Sequence, residues 1–467
     1  MGERVSSSFR DPSGFLFVQN GILLRQVNRV YKEDYDLLFS SGLYDQLTRN
    51  KYLVRHEEVE NAPLEPDLSY KVIQPEKIPF ISYPYEWSFS QLKDAALVTL
   101  AIQKEALQVG MSLKDASAYN IQFHQGVPIL IDTLSLTKYI DGTPWVAYRQ
   151  FCQHFLAPLA LMSKTDIRLN KLLINNIDGI ALDLCSCLLP RSTRFNFGLL
   201  THIHIHSKTQ SRYEDTSKAE GTGAPNAKMA VTKNGLLGII ESLESTIRKL
   251  SLKISGKEWA DYYSDTNYSD KAFDAKKSIV HDLVNSLEPK TVLDLGANTG
   301  IFSQEAASVP DCLVLSTDID PEAVELNYQQ IKKGQQKNIL PLILDLTNPS
   351  PAIGWGNLER DSFYSRGSVD VVLALALIHH LAIANNVPLT DIARTMAMLG
   401  EYLILEFVPK DDSQVKRLLR SRDDIFDNYT LQGLIDSFTP LFELQEQIAV
   451  SGSQRTMLLF KRKSTTN

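Results

Sequence analysis

The sequence has few cysteines and no long apolar segment. Its four cysteines, Cys152, Cys185, Cys187 and Cys312, are too few for a disulfide framework in 467 residues, and they indicate a reducing compartment. No apolar run reaches the length that spans a bilayer. The N-terminal residues also lack the apolar core of a signal peptide. We therefore expect a cytoplasmic protein that has no membrane partner.

The sequence also has no excess of basic over acidic residues. The net charge is −7, with 48 Lys and Arg against 55 Asp and Glu. This balance argues against broad binding to nucleic acid or to anionic membranes, whose phosphates attract cationic surfaces. The composition, 43% hydrophobic and 22% charged, is that of a globular protein. A chain of this length is expected to form two or three domains.

The stretch TVLDLGANTGIFS, residues 291–303, carries the strongest signal. An apolar run that ends at Leu295 is typical of a buried parallel strand. Gly296 and Gly300 follow, and residues without a Cβ let the backbone turn sharply and pass close to a ligand. Helical spacing resumes after them. A strand, a glycine-rich turn and a helix in succession are the geometry of a nucleotide crevice at the carboxyl end of a strand.

Four more apolar runs follow, and most of them stop at an acidic residue. They lie before Asp318, before Asp345, over residues 368–380, and before Glu406. Helical or polar segments separate the runs, a pattern that predicts an α/β fold with a doubly wound sheet. Because the carboxyl ends of parallel strands meet at one edge, we expect the acids together there. Asp318 is then placed to accept both hydroxyls of a ribose.

From about Trp259 to its C-terminus, the chain resembles a class I S-adenosylmethionine-dependent methyltransferase. The matching motifs are DLGANTG, in which Asn298 replaces the favoured middle glycine, then TDIDPEAVELN, LILDLTNP and ALALIHHL. The resemblance implies a Rossmann-like, seven-stranded sheet whose last strand is antiparallel, and S-adenosyl-L-methionine as the cofactor. The chain also resembles, more loosely, bacterial nodulation-protein-like methyltransferases.

The resemblance assigns cofactor-binding roles residue by residue. The residues are Asp294, Gly296, Asn298 and Gly300 in the first motif, Asp318 in the second, Asp345 in the third and Ala374 in the fourth. It implies that Asp318 takes the ribose, that Asp345 lies beside the adenine, and that the backbone of the fourth motif borders the methionine end. The alternatives are structural: Asp294 could bond turn amides, the glycines could serve packing, and Asp345 could cap a turn.

Methyl transfer to a hydroxyl or an amine requires a held acceptor and removal of its proton. His379 and His380 lie just past the fourth strand, and His380 is the first candidate for the general base. Glu406, at the end of the fifth strand, is the second. The alternative for the two histidines is that they cap the following helix or pack under it. No metal is assigned to this site.

A long irregular insertion, residues 350–367, separates the third and fourth strands. Such segments beside a crevice often supply selectivity, so we predict that Trp355, Glu359 and Arg360 bind the acceptor. The sequence favours a small-molecule or glycan acceptor over a nucleic-acid base, since it lacks an Asn-Pro-Pro-Tyr signature. A protein acceptor stays open.

Residues 1–206 are predicted to form an α+β accessory or substrate domain. Within it LKDASAYNIQFHQGVPILIDT, residues 113–133, resembles the catalytic loop and metal-binding strand of kinase-like phosphotransferases. The resemblance implies Asp115 as a base, with Asn120 and Asp132 as magnesium ligands. No glycine-rich phosphate loop or strand lysine accompanies them. The alternative is a network in which the polar side chains bond turn amides.

Residues 207–258 are predicted to be a linker and an amphipathic helix, ahead of a methyltransferase domain at 259–467. The helix has an apolar seam formed by Leu236, Ile240, Leu243, Ile247 and Leu250. The seam could pack on the methyltransferase domain or make a homodimer through residues 236–250. Before the linker His202, His204 and His206 alternate, which on a strand would place three imidazoles on one face, as in some metal sites. A partly exposed strand or helix face is the alternative.

These observations predict an S-adenosylmethionine-dependent methyltransferase. Two alternatives come from other functional classes. One is a non-catalytic scaffold that binds the cofactor and recruits a partner through its N-terminal domain, and methyl transfer would exclude it. The other is a kinase-like ATP-binding protein with a methyltransferase appendage, in which ATP binding depends on Asp132.

Overall fold

The structure is a computed structural model that describes residues 2–206, 231–252, 270–420 and 422–464. The chain forms two compact units. The first comprises Met1–Lys253 with Ala352–Arg360, and the second comprises Ile254–Pro351 and Asp361–Asn467. Within the predicted segment 207–258, the polar stretch 208–228 is the expected linker, and it lies outside the described residues. So does an aromatic cluster, Trp259, Tyr262 and Tyr263, which the sequence places ahead of the first methyltransferase strand.

The first unit opens with an antiparallel sheet of five strands. They are β1 (Glu3–Arg4), β2 (Gly14–Gln19), β3 (Ile22–Asn28), β4 (His56–Glu58) and β5 (Ser69–Pro75), in the spatial order β1-β2-β3-β5-β4. The hairpin of β2 and β3 turns at Asn20 and Gly21, with φ angles of 53° and 78°. Two successive positive φ angles are what a two-residue hairpin turn requires, and the Asn-Gly dipeptide predicted it.

Two short antiparallel ladders follow in the same unit. Strand β6 (Met111–Leu113) pairs with β9 (Leu136–Lys138), and β7 (Ile121–His124) pairs with β8 (Val127–Leu130). The second ladder turns at Gln125-Gly126 as the sequence predicted.

Helices make up the rest of the first unit. The α-helices are Lys32–Ser40, Leu43–Arg49, Phe89–Gln108, Tyr148–Phe151, Ala157–Lys164, Leu172–Asn175, Leu182–Leu188, Phe197–Leu199 and Lys233–Lys249, and Cys152–Leu156 and Leu200–Ile205 are π-helical. The longest of them begins at a capping box, in which Ser88 and Gln91 bond each other's backbone N–H. Residues 35–47, predicted as one helix, form two because Gly42 adopts a φ of 76° between them.

The apolar seam of the helix Lys233–Lys249 is buried inside the first unit. Its members Leu236, Ile240, Leu243, Ile247 and Leu250 are at most 2% exposed. The helix packs on Phe89–Gln108, and Lys104 is ion-paired with Glu244 across the two helices. Because the seam is already covered by the same chain, it does not provide the free apolar face on which the predicted homodimer depends.

The three alternating histidines lie on a π-helical turn, and the strand considered for them is wrong. His202 bonds Tyr148 Oη at 2.7 Å and Ser242 Oγ at 2.9 Å through its two ring nitrogens. His204 similarly bonds Ser186 Oγ and Thr193 Oγ1. A short apolar run with period two cannot be distinguished from a buried helical turn by periodicity alone. The imidazoles of His202 and His204 are satisfied core groups, whereas His206, at the end of the turn, is exposed.

The second unit contains a seven-stranded sheet. Its strands are β10 (Thr291–Leu295), β11 (Leu313–Asp318), β12 (Ile339–Ile343), β13 (Val369–Ala374), β14 (Gly400–Phe407), β15 (Phe442–Ala449) and β16 (Thr456–Arg462), in the order β12-β11-β10-β13-β14-β16-β15. Strand β16 is antiparallel to both of its neighbours, and the pairs from β12 to β14 are parallel. The fold that the methyltransferase resemblance implied is therefore present.

The helices of the second unit are Asp270–Leu287, Ile301–Ala306, Pro321–Gly334, Leu389–Leu399, Ser413–Leu419 and Leu431–Phe438, with a π-helical turn at His380–Ala384. The first of these covers one face of the sheet, where Val280 and Val284 join Val292, Val314 and Val371 in one buried cluster. Strands that are covered by helices on their faces read as continuous apolar runs, which is why sequence reasoning could find them. Among the helices that can be described, none has the length and apolar character to cross a bilayer.

Candidate active site

In the second unit, the order of the strands changes direction between β10 and β13, in the interior of the sheet. From β10 the chain moves outward to β11 and β12, and it then returns to the other side of β10 as β13. In open α/β sheets ligands bind at the carboxyl ends of the strands that flank such a switch point. Here those ends are the turn after Leu295 and the turn after Ala374.

The turn after β10 has a left-handed backbone at three positions. Gly296, Asn298 and Gly300 have φ angles of 72°, 52° and 83°, a region that glycine adopts without steric cost. A Cβ at Gly296 would lie 3.4 Å from its nearest neighbour, Leu377 Cδ1. A Cβ at Gly300 would lie 2.5 Å from Asn327 Oδ1. Gly296 therefore leaves space beside the turn, whereas Gly300 permits close packing of the turn on a helix.

Replacing Gly300 with alanine is expected to destabilise the second unit more than the same change at Gly296. Both substitutions place alanine at positive φ, which costs about 1–2 kcal/mol. Only Gly300→Ala also displaces Asn327, whose amide donates to Ser316 Oγ at 2.8 Å. We expect a total loss of about 3 kcal/mol at Gly300, measured by chemical denaturation. Equal losses of unfolding free energy in the two variants would contradict a packing role for Gly300.

Asp318 ends β11 and faces the turn after β10. Its Oδ2 accepts the backbone N–H of Asn298 at 2.8 Å, and its Oδ1 accepts that of Asp320 at 2.9 Å. Each carboxylate oxygen has a further lone pair that can accept another donor. Burial raises the pKa of this carboxyl, while the backbone N–H groups oppose the rise. The geometry suits a pair of ribose hydroxyls.

Asp294 lies beneath the turn and is only 1% exposed. Its Oδ2 accepts the hydroxyl of Ser303 at 2.6 Å, and that hydroxyl also bonds Ser316 Oγ at 2.7 Å. Burial raises the pKa of Asp294 to about 6. The Asp294 side chain thus links β10 to the helix Ile301–Ala306 through the Ser303 hydroxyl.

Two further cofactor candidates lie at the ends of neighbouring strands. Asp345 follows β12, and its Oδ1 accepts the backbone N–H of Thr347 at 2.9 Å and the Thr347 hydroxyl at 2.6 Å. Asp345 therefore caps a turn, which is the structural alternative given for it in the sequence analysis. Ala374 is the last residue of β13 and is fully buried. Beyond it Ala376 has a φ of 51°, a strain that clusters at functional sites and that no local sequence signal predicted.

The two histidines after β13 differ in exposure. His379 is 2% exposed, and burial lowers its pKa to about 3, with His380 contributing. Within the described residues its Nδ1 has no hydrogen-bond partner. His380 is exposed, and partial burial of its ring lowers its pKa to a lesser extent. The ring centroids lie 4.2 Å apart.

Glu406 lies in a buried ionic network. The residue is 0% exposed, and its Oε2 contacts Lys276 Nζ at 2.6 Å while its Oε1 contacts Arg455 Nη1 at 3.2 Å. Arg455 also contacts Asp412 at 2.9 Å. Two cations beside one carboxylate disfavour its protonation. A general base must take up a proton, so this environment does not suit that role. The geometry therefore gives Glu406 a structural role, and sequence reasoning missed Lys276 and Arg455 because their pairing is long-range.

The acceptor candidates belong to Ala352–Arg360, a segment of the first unit. Glu359 accepts two hydrogen bonds from the Arg10 guanidinium, at 2.8 and 2.6 Å, and one from the Trp355 N–H at 2.7 Å. The Arg10 hydrogen bonds lower the pKa of Glu359. The Arg360 guanidinium lies 4.3 Å from the ring centroid of Tyr119. Glu359 and Arg360 thus anchor the segment, while Trp355 is 77% exposed.

The kinase-like residues of the first unit form a compact polar group. Asp132 contacts Arg25 Nη1 at 2.5 Å and accepts the Ser135 hydroxyl at 2.6 Å. Burial is the largest single influence and favours a raised pKa for Asp132, but Arg25 and the hydrogen bonds from Ser135 and the Leu134 N–H together outweigh it, and the pKa is lowered. Asp115 accepts the Ser117 N–H at 2.9 Å, and burial together with Asp132 raises its pKa.

The cation that meets Asp132 is Arg25, on β3, whereas the kinase-like resemblance implied a lysine on a strand. The Arg25 guanidinium contacts the Asp132 carboxylate directly, as expected if Asp132 belongs to a network of structural hydrogen bonds. The described ranges of the chain hold no group of three or more His, Cys, Asp or Glu residues arranged to bind a metal. The contacts that Asp132 makes with Arg25 and the Ser135 hydroxyl, and that Asp115 makes with the Ser117 N–H, are those of a turn network.

Comparison with known proteins places both units in one family. No family model matches the chain. The nodulation protein NoeA of Rhizobium meliloti (strain 1021) is 35% identical over 463 residues, which are 98% of this chain and 96% of that protein.

Solved structures match only in part. The N-methyltransferase NodS from Bradyrhizobium japonicum WM9 covers 42% of this chain and 100% of its own, at 15% identity and a TM-score of 0.30. The bifunctional kinase-methyltransferase WbdD covers 42% of this chain and 40% of its own, at 14% identity and a TM-score of 0.29. These likenesses are too distant to carry a functional argument. The identity to NoeA, in contrast, extends over almost the whole length of both proteins, and the chain belongs to the family of the nodulation protein NoeA.

Proposed function

We propose that the protein is an S-adenosylmethionine-dependent methyltransferase whose acceptor is a hydroxyl or an amine of a small molecule or glycan. The observation that carries the proposal is Asp318, which ends β11 beside the turn after β10 and has both oxygens positioned by backbone N–H groups. A carboxylate fixed in this way accepts a pair of vicinal hydroxyls without rearrangement. It is the feature that a ribose-bearing cofactor needs.

The other residues of this edge would complete the cofactor site. The open side of Gly296 lets the cofactor approach the turn, Asp345 would border the adenine, and the backbone after Ala374 would border the methionine end. When bound, S-adenosylmethionine supplies an electrophilic methyl group. The chain's own task is then to align the acceptor, exclude water and remove the acceptor proton.

His380 is the residue we assign to proton removal. Its ring is exposed at the same edge, and its lowered pKa keeps it neutral at neutral pH, in the form that can take up a proton. His379 has a pKa of about 3, which makes it a much weaker base. We assign His379 to positioning, since its ring lies against that of His380.

Replacing His380 with asparagine is expected to lower kcat by about 10²–10⁴-fold and to leave cofactor binding unchanged. The wild-type rate should rise with pH and level off, with a midpoint below 6.5, the ordinary pKa of histidine, because the base acts when deprotonated and its pKa is lowered. Steady-state kinetics across pH 4.5–8.5 would measure both effects.

The matched control is His379→Asn, which should change the midpoint of the pH profile but retain most of kcat. A His380→Asn enzyme with wild-type kcat and an unchanged pH profile would show that the base lies elsewhere.

Acceptor choice is proposed to involve Trp355, the exposed member of its segment. Glu359 and Arg360 would act through the shape of the segment, because their side chains contact Arg10 and Tyr119. The first unit would then serve as the substrate-selecting part of the protein.

The deciding experiment has two parts. Calorimetry on the intact protein is expected to show micromolar binding of S-adenosylmethionine, and a labelled methyl group should then move to a component of a hydroxyl- and amine-rich extract. Absence of cofactor binding by the folded protein would overturn the proposal. Binding without transfer to any acceptor would favour the non-catalytic scaffold instead.

A further inference from the structure

A cavity of about 240 Å³ lies in the first unit, beside the short β7–β8 ladder. One of its walls is an extended segment that runs next to β8. Leu53 forms a parallel bridge with Leu130, and Val54 N–H and Leu130 N–H donate to backbone oxygens across the pair. Because side chains alternate along an extended chain, residues 53 and 55 share one face, and Lys51, in the turn before them, also lines the cavity. The same alternation places Val127 and Ile129 together on β8.

The floor of the cavity is apolar. Leu53 and Ile129 are 1% and 6% exposed, and Val127 is 39% exposed at the edge. Such a surface contacts a ligand through its carbon atoms and favours one with an apolar or planar body.

The rim of the cavity is cationic. Arg49, Lys51 and Arg55 line it, and all three are exposed. The described residues place no carboxylate within 4.0 Å of any of these three side chains. Glu76, the acid in the lining, contacts His124 Nε2 at 3.1 Å. A protein of net charge −7 therefore concentrates uncompensated positive charge around an apolar floor.

We propose that this cavity is a binding site for a small molecule that carries a phosphate monoester on an apolar or planar body. Guanidinium groups bind phosphate oxygens in a fork geometry, and an ammonium adds a point charge. The charge of three cations is matched better by a phosphate dianion than by a carboxylate, which carries a single negative charge. The apolar floor contacts the organic part of the ligand. The volume is smaller than that of sites for drug-sized ligands, about 300–1,000 Å³, so the ligand is a small one.

The lining of the cavity includes none of the residues assigned to the cofactor and none of the Asp132 group. It uses the end of the helix Leu43–Arg49 and the ladder at β8, whereas the cofactor residues all lie in the second unit. Its occupation therefore does not depend on the proposed methyl transfer.

Phenyl phosphate, inorganic phosphate and phenol are the three probes, titrated into the full-length protein by calorimetry. We expect phenyl phosphate to bind at least about tenfold more tightly than inorganic phosphate, since burial of a ring adds apolar contact, and we expect phenol not to bind measurably. Equal affinity for the two phosphates would overturn the role of the apolar floor. No binding of either phosphate would overturn the site.

Substitutions locate the binding. Arg55→Gln is expected to weaken phenyl phosphate binding by about 10-fold, and Lys51→Gln together with Arg55→Gln by about 100-fold, because each removes a charge-assisted hydrogen bond. Arg191→Gln, an exposed arginine elsewhere in the first unit, is the matched control and should bind like wild type. Val127→Ser should weaken binding of phenyl phosphate but not of inorganic phosphate. Equal affinities in the Arg55 and Arg191 variants would place the ligand elsewhere and refute the proposal.

Discussion

Replacing Asp318 with alanine is expected to weaken binding of S-adenosylmethionine by about a hundredfold, or about 2.7 kcal/mol. The carboxylate oxygens are held by the N–H groups of Asn298 and Asp320, so they offer two acceptors in a fixed position to the ribose hydroxyls. Alanine removes both acceptors. Calorimetry on the intact protein measures the loss directly.

Two companion variants separate binding from folding. Asp318→Asn keeps one acceptor oxygen and should lose only about tenfold in affinity. Asp345→Ala, at the end of the next strand, should lose less than Asp318→Ala because Asp345 is proposed to border the adenine, whereas Asp318 is proposed to accept both ribose hydroxyls. Thermal denaturation of each variant checks the fold. Wild-type affinity in a folded Asp318→Ala protein would remove Asp318 from the cofactor site.

The second large effect is expected on stability, from Glu406→Ala. This change leaves Lys276 and Arg455 buried without the carboxylate that contacts both. Removing one partner of a buried ionic group costs about 3–5 kcal/mol, which is a large part of the stability of a typical domain. Urea denaturation of the full chain, monitored through the transition of the second unit, would measure it.

A double variant tests the cause of that loss. In Lys276→Met with Glu406→Leu, apolar groups replace the closest pair, and we expect much of the stability to return because burying apolar groups avoids the desolvation of charges. Glu406→Gln distinguishes the two roles considered for this residue. A structural role predicts lost stability, whereas a Glu406→Gln protein of normal stability with no kcat would restore Glu406 as the base.

Local sequence signals predicted the elements whose causes are local. The Asn20-Gly21 dipeptide marked a hairpin because both residues tolerate positive φ. The apolar runs at 291–295 and 369–374 marked buried parallel strands because helices cover both faces of such a sheet. The position of Asp318 at the end of its strand followed from the same reasoning.

Long-range pairing limited the rest of the prediction. Nothing near Glu406 in the sequence indicates that Lys276 and Arg455 meet it in the folded chain. The histidines at 202 and 204 alternate with isoleucine, yet their hydrogen bonds come from four other segments. The partner of Glu359 is Arg10, near the opposite end of the chain. The sequence shows that buried charged and polar side chains need bonding partners. Only the folded structure shows which residues those partners are.

The position of Ala352–Arg360 has a consequence for how the polypeptide can be divided. The chain leaves the second unit before Ala352 and re-enters it after Arg360, so no single peptide bond separates the two units. A fragment that ends at residue 253 would lack Glu359 and Arg360, and its Arg10 and Tyr119 would lose the contacts those side chains make. A backbone break near residue 253 would leave the N-terminal piece attached through those same contacts. A cut at residue 253 therefore does not divide the polypeptide into two complete units.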